Sequence, residues 1–493
     1  MKFHILIYGC QFNYADSARI KAVLENIWFE YTSDITKADI VIFDTCSVRQ
    51  KSEDKIWWKL AEIPRDKKIW ITGCMVGRNL DRKKSEEILM NSEEIYIWQT
   101  KFKKGNFLKI KEVNNENFII NEAFWDLWRK LKAKFNNVEL LFRIDDLHLL
   151  PVILYNLNDT YKNFIRKEKV NQYLEDIKSK PSYLSLLPAP TANQIFSEKS
   201  KTAYVPIQIG CNQFCSYCIV PYARGLEKNR PFDEILSEVK YHLSRWKQEI
   251  VLLGQIVNKH PDFYRILKEI LSLPGLKRLR YTSPYPTWYT DEILALHENE
   301  EKLVPHIHAP VQSGSDVVLK RMFRWYSVDD YKRFVEKVKN LKRDISITTD
   351  IIVWFPGETE EDFQKTLKLT EFARFDMIYI GIYSPRPGTY AAKHYKDDIS
   401  QQEKKRRWKV LNDLLQKISY ENNLKEIWKQ KDIMVTKVYD DGTILWYDEK
   451  LKNVIVNAKS QTIWKSITDN LIWDFVKVEI NQAQPLKLFW KLI

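Results

Sequence analysis

Three short apolar segments near the amino terminus each end at a cysteine. They span residues 3–10, 39–46 and 68–74, and the stretches between them, such as 17–25 and 52–60, have helical spacing. Continuous β-branched and aromatic runs that alternate with helices predict βαβ units and a parallel sheet buried on both faces. The strands of such a sheet all end at one edge, where ligands bind. We therefore expect Cys10, Cys46 and Cys74 to converge there as a metal centre, the alternative being free cysteines buried as small hydrophobic residues.

A second group of cysteines follows the strand-like segment 204–209 and consists of Cys211, Cys215 and Cys218. A zinc site would use a fourth Cys or His nearby to complete its tetrahedron, and the neighbouring sequence contains none. Three thiolates suit an iron–sulfur cluster that keeps one iron open for a substrate or cofactor. The C-x3-C-x2-C spacing, with the aromatic Tyr217 before the last cysteine, resembles the signature of the radical S-adenosylmethionine (SAM) enzymes.

The region after this loop again alternates between apolar and helical segments. Further strands are predicted at 249–255, 276–283, 305–312, 345–355 and 376–383. Together with segment 204–209 they make six β/α units, which suits the partial barrel of radical SAM enzymes. Thr359 and Asp362 form a capping-box pattern that predicts the start of the fifth connecting helix. The fold class that we predict is therefore α/β.

Length and composition narrow the choice of protein class. The 493 residues suggest roughly three domains, and 44% apolar residues are enough for a substantial core. We expect a cytoplasmic protein, because the sequence contains no apolar run of 18 residues and the apolar stretch at its start is too short for a signal peptide. A net charge of +13 favours an anionic partner such as nucleic acid, or simply a solvated lysine-rich surface. Six cysteines in such a protein argue for metal or catalytic roles rather than disulfides.

Eight short motifs make the chain similar to the MiaB-type methylthiotransferases, which thiomethylate an adenosine beside the tRNA anticodon. They lie at 9–11, 45–49, 73–75, 210–225, 253–258, 310–315, 355–359 and 384–389. The resemblance implies an N-terminal domain over 1–155, with a candidate insertion at about 76–137, and then a linker over 156–200. A radical SAM domain over 201–424 and a small TRAM β-barrel over 425–493 would follow. The segment 76–137 would be either an RNA-contacting insertion or a surface loop.

The resemblance also assigns roles to residues. Cys211, Cys215 and Cys218 would bind the 4Fe–4S cluster that reductively cleaves SAM to a radical, which takes hydrogen from C2 of the adenine. Cys10, Cys46 and Cys74 would hold an auxiliary 4Fe–4S cluster that carries the sulfur. No side chain is assigned as a protein acid or base. Candidate SAM contacts are Tyr217, Gly254, Gln255, Gln312 and Ser313, although the last four also suit ordinary strand ends.

Partners and substrate follow from the same resemblance. They are tRNA with an isopentenylated adenosine in its anticodon loop, an electron donor such as flavodoxin or ferredoxin, and a sulfur donor, without a membrane. Related enzymes modify threonylcarbamoyladenosine in tRNA or an aspartate of a ribosomal protein. The run 45–49 matches the isopentenyl type best, although Asp44 replaces the usual Asn. An alternative of another class is a non-catalytic iron–sulfur protein that binds RNA.

Glycine is scarce and tryptophan is abundant in this chain. At a usual share of about 7%, roughly 35 glycines are expected at this length; the chain has 13, and its 17 tryptophans nearly make up the difference. Several tryptophans stand where the family pattern has glycine, namely Trp28, Trp325, Trp354, Trp428, Trp446, Trp473 and Trp490. We predict that these positions are glycine codons, UGA, that have been translated as tryptophan. The alternative is a genuine drift toward aromatic residues, and at Trp354 we expect the indole to overpack the barrel.

Overall fold

The computed structural model describes most of the chain, and its contacts divide the chain into two compact units. The described residues are 1–47, 50–79, 109–113, 116–120, 125–168, 170–171, 183–186, 200–397, 399–438, 443–457 and 475–492. The first unit comprises Met1–Glu198 and Ile219–Leu226, and the second comprises Lys199–Cys218 and Glu227–Ile493. Most of the predicted insertion (76–137) and of the predicted linker (156–200) lies outside the described residues. The domain bounds stay predictions.

The first unit contains a five-stranded parallel sheet in the order β2-β1-β3-β4-β7. Its strands are β1 (Lys2–Tyr8), β2 (Glu30–Tyr31), β3 (Ile40–Thr45), β4 (Lys68–Gly73) and β7 (Val138–Leu141), and β5 (Lys109–Val113) and β6 (Glu116–Ile120) form a separate hairpin. Its helices are α1 (Gln11–Asn26), α2 (Gln50–Glu62), α3 (Cys74–Arg78), α4 (Trp125–Lys132), α5 (Leu150–Tyr155), α6 (Asp159–Phe164) and α7 (Val220–Arg224). The three predicted apolar segments are β1, β3 and β4, which confirms the predicted parallel sheet.

Burial of the central strand explains why residues 40–43 of its sequence are continuously apolar. Every residue of β3 is buried, and neighbouring strands lie along both of its edges. Val41 and Phe43 pack against Ile56 and Leu60 of α2 in one hydrophobic cluster. A strand that is buried on both faces needs no polar positions, which is why the segment does not alternate.

The second unit contains six parallel strands in two groups of three, β12-β11-β8 and β13-β14-β15. The strands are β8 (Thr202–Pro206), β11 (Glu249–Leu253), β12 (Arg278–Tyr281), β13 (His306–His308), β14 (Ser346–Val353) and β15 (Met377–Ile382), and β9 (Gln208–Ile209) pairs with β10 (Lys228–Asn229). The helices are α8 (Phe232–Leu243), α9 (Phe263–Ser272), α10 (Asp291–Asn299), α11 (Asp316–Arg321), α12 (Val328–Lys339), α13 (Glu360–Ala373), α14 (Tyr390–His394) and α15 (Gln401–Leu424). These six parallel strands confirm the six predicted β/α units.

The capping box predicted from the sequence begins α13. The Thr359 side chain accepts from the backbone N–H of Asp362, and the Asp362 carboxylate accepts from the backbone N–H of Thr359. Two backbone donors that would otherwise lack partners at the helix start are thereby satisfied. No helix in the described part of the chain is long and apolar enough to cross a membrane.

The carboxyl-terminal residues of the second unit form a small closed β-barrel. Its strands, in the order β16-β17-β18-β20-β19, are β16 (Gln430–Val438), β17 (Thr443–Tyr447), β18 (Asn453–Asn457), β19 (Phe475–Gln484) and β20 (Lys487–Leu492). Closure leaves the sheet without a free edge. The barrel confirms the third element of the predicted fold class.

In the described part of the chain, four tryptophans have a left-handed backbone conformation, with φ between 63° and 70°. They are Trp28, Trp246, Trp354 and Trp428. Trp246 was absent from the predicted set, whereas Trp325 and Trp490 of that set do not have a positive φ. Trp473 and the side chain of Trp446 lie outside the described residues.

The structure accommodates the Trp354 indole, contrary to the overpacking that we expected. The side chain is buried, and its Nε1–H donates to the Glu403 carbonyl oxygen at 2.8 Å. The Arg407 guanidinium lies over the ring, 3.3 Å from its centroid. The indole therefore has partners, and the unusual feature at this position is the left-handed backbone.

Candidate iron–sulfur sites

The sheet of the first unit brings its three cysteines to one edge. In the strand register Tyr8 pairs with Thr45, and Thr45 pairs with Gly73. Cys10 stands two residues beyond this row, whereas Cys46 and Cys74 stand one residue beyond it. Cys46 and Cys74 are buried, and Cys10 is exposed at the start of α1. The carboxyl edge of the sheet therefore carries three thiols, at the edge predicted from the sequence.

The thiols of this group are close enough to influence one another electrostatically. The pKa of Cys74 is raised to about 12, chiefly by burial; the Arg224 cation acts to lower it, and the charges of Cys46 and Cys10 act to raise it. A thiol must lose its proton before it binds a metal, so occupation of this site would release protons.

The donor set fits an iron–sulfur cluster better than a single metal ion. The three donors are all cysteine sulfurs, and cysteine thiolates are the ligands that hold iron–sulfur clusters. In a 4Fe–4S cluster each cysteine binds a different iron, so the three sulfurs stand apart and need not surround one ion. In addition, the Ser47 hydroxyl beside Cys46 is buried and has no hydrogen-bond partner within the described ranges. An acceptor sulfur of a cluster would satisfy such a donor.

A buried polar network supports these cysteines. The Arg224 guanidinium donates from Nε to Cys74 Sγ at 3.3 Å and from Nη2 to Asp16 Oδ2 at 2.9 Å. Asp44, which directly precedes Thr45 and Cys46, accepts from Asn13 Nδ2 at 2.7 Å and from Ser17 Oγ at 2.9 Å. Burial, and then the neighbouring Asp16 carboxylate, raise the pKa of Asp44 to about 8.

The second group of cysteines lies in the loop after β9 of the second unit. Gly210 begins this loop with a φ of 72°, a conformation that favours glycine. The backbone N–H of Gln213 donates to Cys211 Sγ at 3.5 Å. Burial raises the pKa of Cys211 to about 11, and this hydrogen bond acts in the opposite direction. The loop backbone therefore supplies a donor to the first of its three sulfurs.

Tyr217 and Arg324 lie close to the other two cysteines of the loop, Cys215 and Cys218. Burial, followed by the charges of Cys215 and Cys218, raises the pKa of Tyr217 well above its usual value. Its ring packs edge-on against Phe355, with the centroids 6.2 Å apart. Arg324 donates from Nη1 to Cys215 Sγ at 3.7 Å. A buried cation thus lies against a sulfur whose thiolate form would bind iron.

The remaining predicted site residues lie at strand ends of the second unit. Gly254 and the half-buried Gln255 directly follow β11. Gln312 and Ser313 are buried, and Gln312 has a left-handed backbone with a φ of 71°. The Gln312 backbone is held by the Asp350 carbonyl at 2.8 Å and by the Ile352 N–H at 3.0 Å. A strained residue that neighbouring backbone holds in place is a common feature of ligand sites.

Sequence reasoning assigned no role to the two arginines that contact cysteine sulfurs. Arg224 lies inside the motif at 210–225, six residues after Cys218, and its place in that motif was the only available signal. Arg324 directly precedes Trp325, one of the suspect tryptophans, and the sequence offered no signal for its contact with Cys215.

Comparison with known proteins identifies the family. The model described as Radical SAM superfamily matches residues 205–370, and the model described as Uncharacterized protein family UPF0004 matches residues 2–98. The tRNA-2-methylthio-N(6)-dimethylallyladenosine synthase of Dictyoglomus thermophilum is 33% identical over 491 residues, which cover 96% of this chain and 97% of the relative. The chain belongs to this synthase family.

A second relative agrees with that assignment. The synthase of the same name from Caldicellulosiruptor saccharolyticus is 32% identical over 100% of this chain and 92% of the relative. Among solved structures, the radical SAM methyltransferase TsrM from Kitasatospora setae aligns with a TM-score of 0.47 and 13% identity, over 79% of this chain and 75% of TsrM. Enzymes of the radical SAM superfamily use SAM and a 4Fe–4S cluster as cofactors, and the synthase family, as a member of this superfamily, uses both.

Proposed function

We propose that this protein is a radical SAM methylthiotransferase that converts N6-isopentenyladenosine, also called N6-dimethylallyladenosine, in tRNA to its 2-methylthio derivative. Its full-length relatives carry that activity in their names. The observation that carries the proposal is the presence of two separate sets of three cysteines, one at the sheet edge and one in the loop after β9. An enzyme that only generates a radical needs one cluster, which one set of cysteines can hold. The addition of sulfur to the substrate gives the second set of cysteines a role.

The residues of the loop set would hold the radical SAM cluster. Cys211, Cys215 and Cys218 would bind three of its irons, and Arg324 would stabilise the bound thiolate of Cys215. Cluster and SAM, when bound, supply the radical that removes hydrogen from the adenine. Gly254, Gln255, Gln312 and Ser313 would contact SAM from the strand ends, and Tyr217 would pack beside the loop.

The residues of the sheet edge would hold the auxiliary cluster. Cys10, Cys46 and Cys74 would bind three irons, and the fourth iron would remain available for sulfur. The Ser47 hydroxyl and the Arg224 guanidinium would donate hydrogen bonds to this site. A cluster that must exchange an atom needs one iron without a protein ligand, so three cysteines suit it better than four.

The partners that we propose follow from this chemistry. The net charge of +13 suits the phosphate backbone of a tRNA anticodon loop. Reduction needs an electron donor such as flavodoxin or ferredoxin, and repeated turnover needs a sulfur donor. A tRNA substrate also supports the cytoplasm as the location that we propose.

The proposal is tested by nucleoside mass spectrometry. Protein reconstituted anaerobically with iron and sulfide would be incubated with SAM, a reductant and tRNA that carries isopentenyladenosine. We expect the 2-methylthio nucleoside with this tRNA and no product with matched tRNA that lacks the isopentenyl group. SAM cleavage without thiomethylation would contradict the substrate, and threonylcarbamoyladenosine tRNA and the ribosomal-protein substrate would then be assayed. A protein that holds clusters and cleaves no SAM would instead be a non-catalytic RNA-binding protein.

A further inference from the structure

An arginine from a distant part of the sequence lies against the sheet-edge cysteines. Arg224 is the last residue of α7, and 150 positions separate it from Cys74. Its guanidinium contacts Cys74 Sγ and the Asp16 carboxylate, and it lies over the Phe12 ring, 4.8 Å from the centroid. The side chains of Arg224 and Asp16 are 3% and 0% exposed. Three different neighbours thus fix the orientation of this buried cation.

A close approach between two short helices makes this contact possible. A Cβ atom at Gly77 of α3 would lie 2.1 Å from the carbonyl oxygen of Ala223, the residue before Arg224. Since any side chain at Gly77 would push α7 away, glycine there allows the Arg224 side chain to reach the sulfur that begins α3.

We propose that Arg224 is a positioning residue of the auxiliary cluster, which hydrogen-bonds the Cys74 ligand sulfur and compensates the negative charge of the reduced cluster. Hydrogen bonds to the sulfurs and nearby charge set the reduction potential of an iron–sulfur cluster. Loss of the Arg224 cation and of its hydrogen bond to Cys74 would therefore favour the oxidised form of the auxiliary cluster. This inference rests on the proposed function, because it requires that Cys10, Cys46 and Cys74 hold a cluster.

The experiment isolates the auxiliary cluster in the full-length chain. The background variant carries Cys211→Ala, Cys215→Ala and Cys218→Ala, which removes the loop ligands. Arg224→Met and Arg224→Lys would be added separately, and the reduction potential would be measured by electron paramagnetic resonance during a redox titration. We expect Arg224→Met to shift the potential to more negative values, and Arg224→Lys, which keeps the charge, to recover part of that shift.

A matched control separates this role from a loss of structure. Arg78 on α3 pairs with Glu53 at 2.6 Å, and both side chains are largely buried. We expect Arg78→Met to leave the potential unchanged. An unchanged potential in Arg224→Met, or an equal shift in Arg78→Met, would overturn the role of Arg224. A background variant that binds no iron would instead contradict the auxiliary cluster itself, and hence the proposed function.

An independent observation concerns the left-handed tryptophans. Left-handed φ values favour glycine because a side chain clashes with the neighbouring backbone, and a bulky residue there is an outlier. Among the residues that the structure describes, four of the 11 non-glycine residues with positive φ are tryptophan, although tryptophan makes up only 17 of the 493 residues of the sequence. Chance placement does not explain this share.

Two of the four occupy the helix-ending position that glycine usually takes. After α1, the N–H of Phe29 donates to the Leu24 carbonyl and that of Trp28 to the Glu25 carbonyl, each at 3.1 Å. After α8, the N–H groups of Lys247 and Trp246 make the same pair of bonds. This is the Schellman motif, in which the left-handed residue is usually glycine. The Trp246 side chain is 83% exposed, so packing does not explain the indole.

We infer that residues 28, 246, 354 and 428 are glycine in the natural protein, as products of UGA codons that its source reads as glycine. The codons at these positions and the masses of the corresponding peptides from the source organism decide the matter. UGA codons with glycine-mass peptides are expected, and UGG codons or tryptophan-mass peptides would overturn the inference.

A stability measurement tests the physical argument separately. We expect Trp246→Gly to raise the urea midpoint of unfolding, because it relieves a left-handed side chain and loses little packing. The control is Trp58→Gly, since Trp58 is 76% exposed but lies inside α2. Glycine in a helix interior is unfavourable, so this change is expected to lower the midpoint. A fall in the midpoint of Trp246→Gly would contradict the argument from backbone strain.

Discussion

Replacement of Cys215 by alanine is expected to reduce the formation of 5′-deoxyadenosine to background. The variant would lose one of the three thiolates of the loop cluster, together with the sulfur that Arg324 contacts at 3.7 Å. SAM cleavage needs an electron from this cluster, so partial occupancy would not sustain it. The measurement is liquid chromatography with mass spectrometry of the nucleoside products, alongside the iron content, which should fall by roughly half if one of two clusters is lost.

The control for this variant is its thermal unfolding, compared with that of the original chain after iron has been removed from both, because a bound cluster itself stabilises the folded state. Loss of a small, half-buried side chain costs about 1 kcal/mol or less, and Cys215 is half-buried, so the melting temperature should change little. A variant that still cleaves SAM at the original rate would contradict the assignment of Cys215 as a cluster ligand. A variant that retains all of its iron would contradict it as well.

The strands that carry the cysteines were predictable because a strand buried on both faces reads as a continuous apolar run. Such runs gave β1, β3 and β4. Parallel strands end at one edge, so the position of Cys10, Cys46 and Cys74 at one edge of the sheet followed from topology; that they form one site stays a prediction. The six parallel strands of the second unit were predictable for the same reason.

The supporting side chains could not be predicted, because their partners are distant in the sequence. Arg224 meets Cys74 across 150 positions, and Arg324 meets Cys215 across 109. Which of 78 lysines and arginines reaches a sulfur depends on the tertiary path of the chain, and no local pattern encodes that path. The position of Trp246 could not be predicted for another reason. Its role at the end of α8 depends on backbone hydrogen bonds, and in a sequence only a glycine at such a position would indicate them.

Replacement of Cys46 by alanine is expected to separate the two reactions of the enzyme. Cys46 is buried at the end of β3, in the first unit, whereas the loop cysteines belong to the second. The variant should therefore form 5′-deoxyadenosine at close to the original rate, yet give no 2-methylthio nucleoside and no S-adenosylhomocysteine. The physical reason is that radical formation needs only the loop cluster, while methylation and transfer of sulfur need the sheet-edge cluster.

Three readouts from one incubation make this prediction specific. Mass spectrometry quantifies the modified nucleoside, 5′-deoxyadenosine and S-adenosylhomocysteine with tRNA that carries isopentenyladenosine. Ser47→Ala is the matched variant, because it keeps all three cysteines and removes only the buried hydroxyl beside Cys46; it should retain the thiomethylated product at a reduced yield. Loss of 5′-deoxyadenosine in Cys46→Ala would mean that the two cysteine sets do not act separately. Unchanged thiomethylation would mean that the sulfur does not pass through the sheet edge, since a cluster with two protein ligands would not survive turnover.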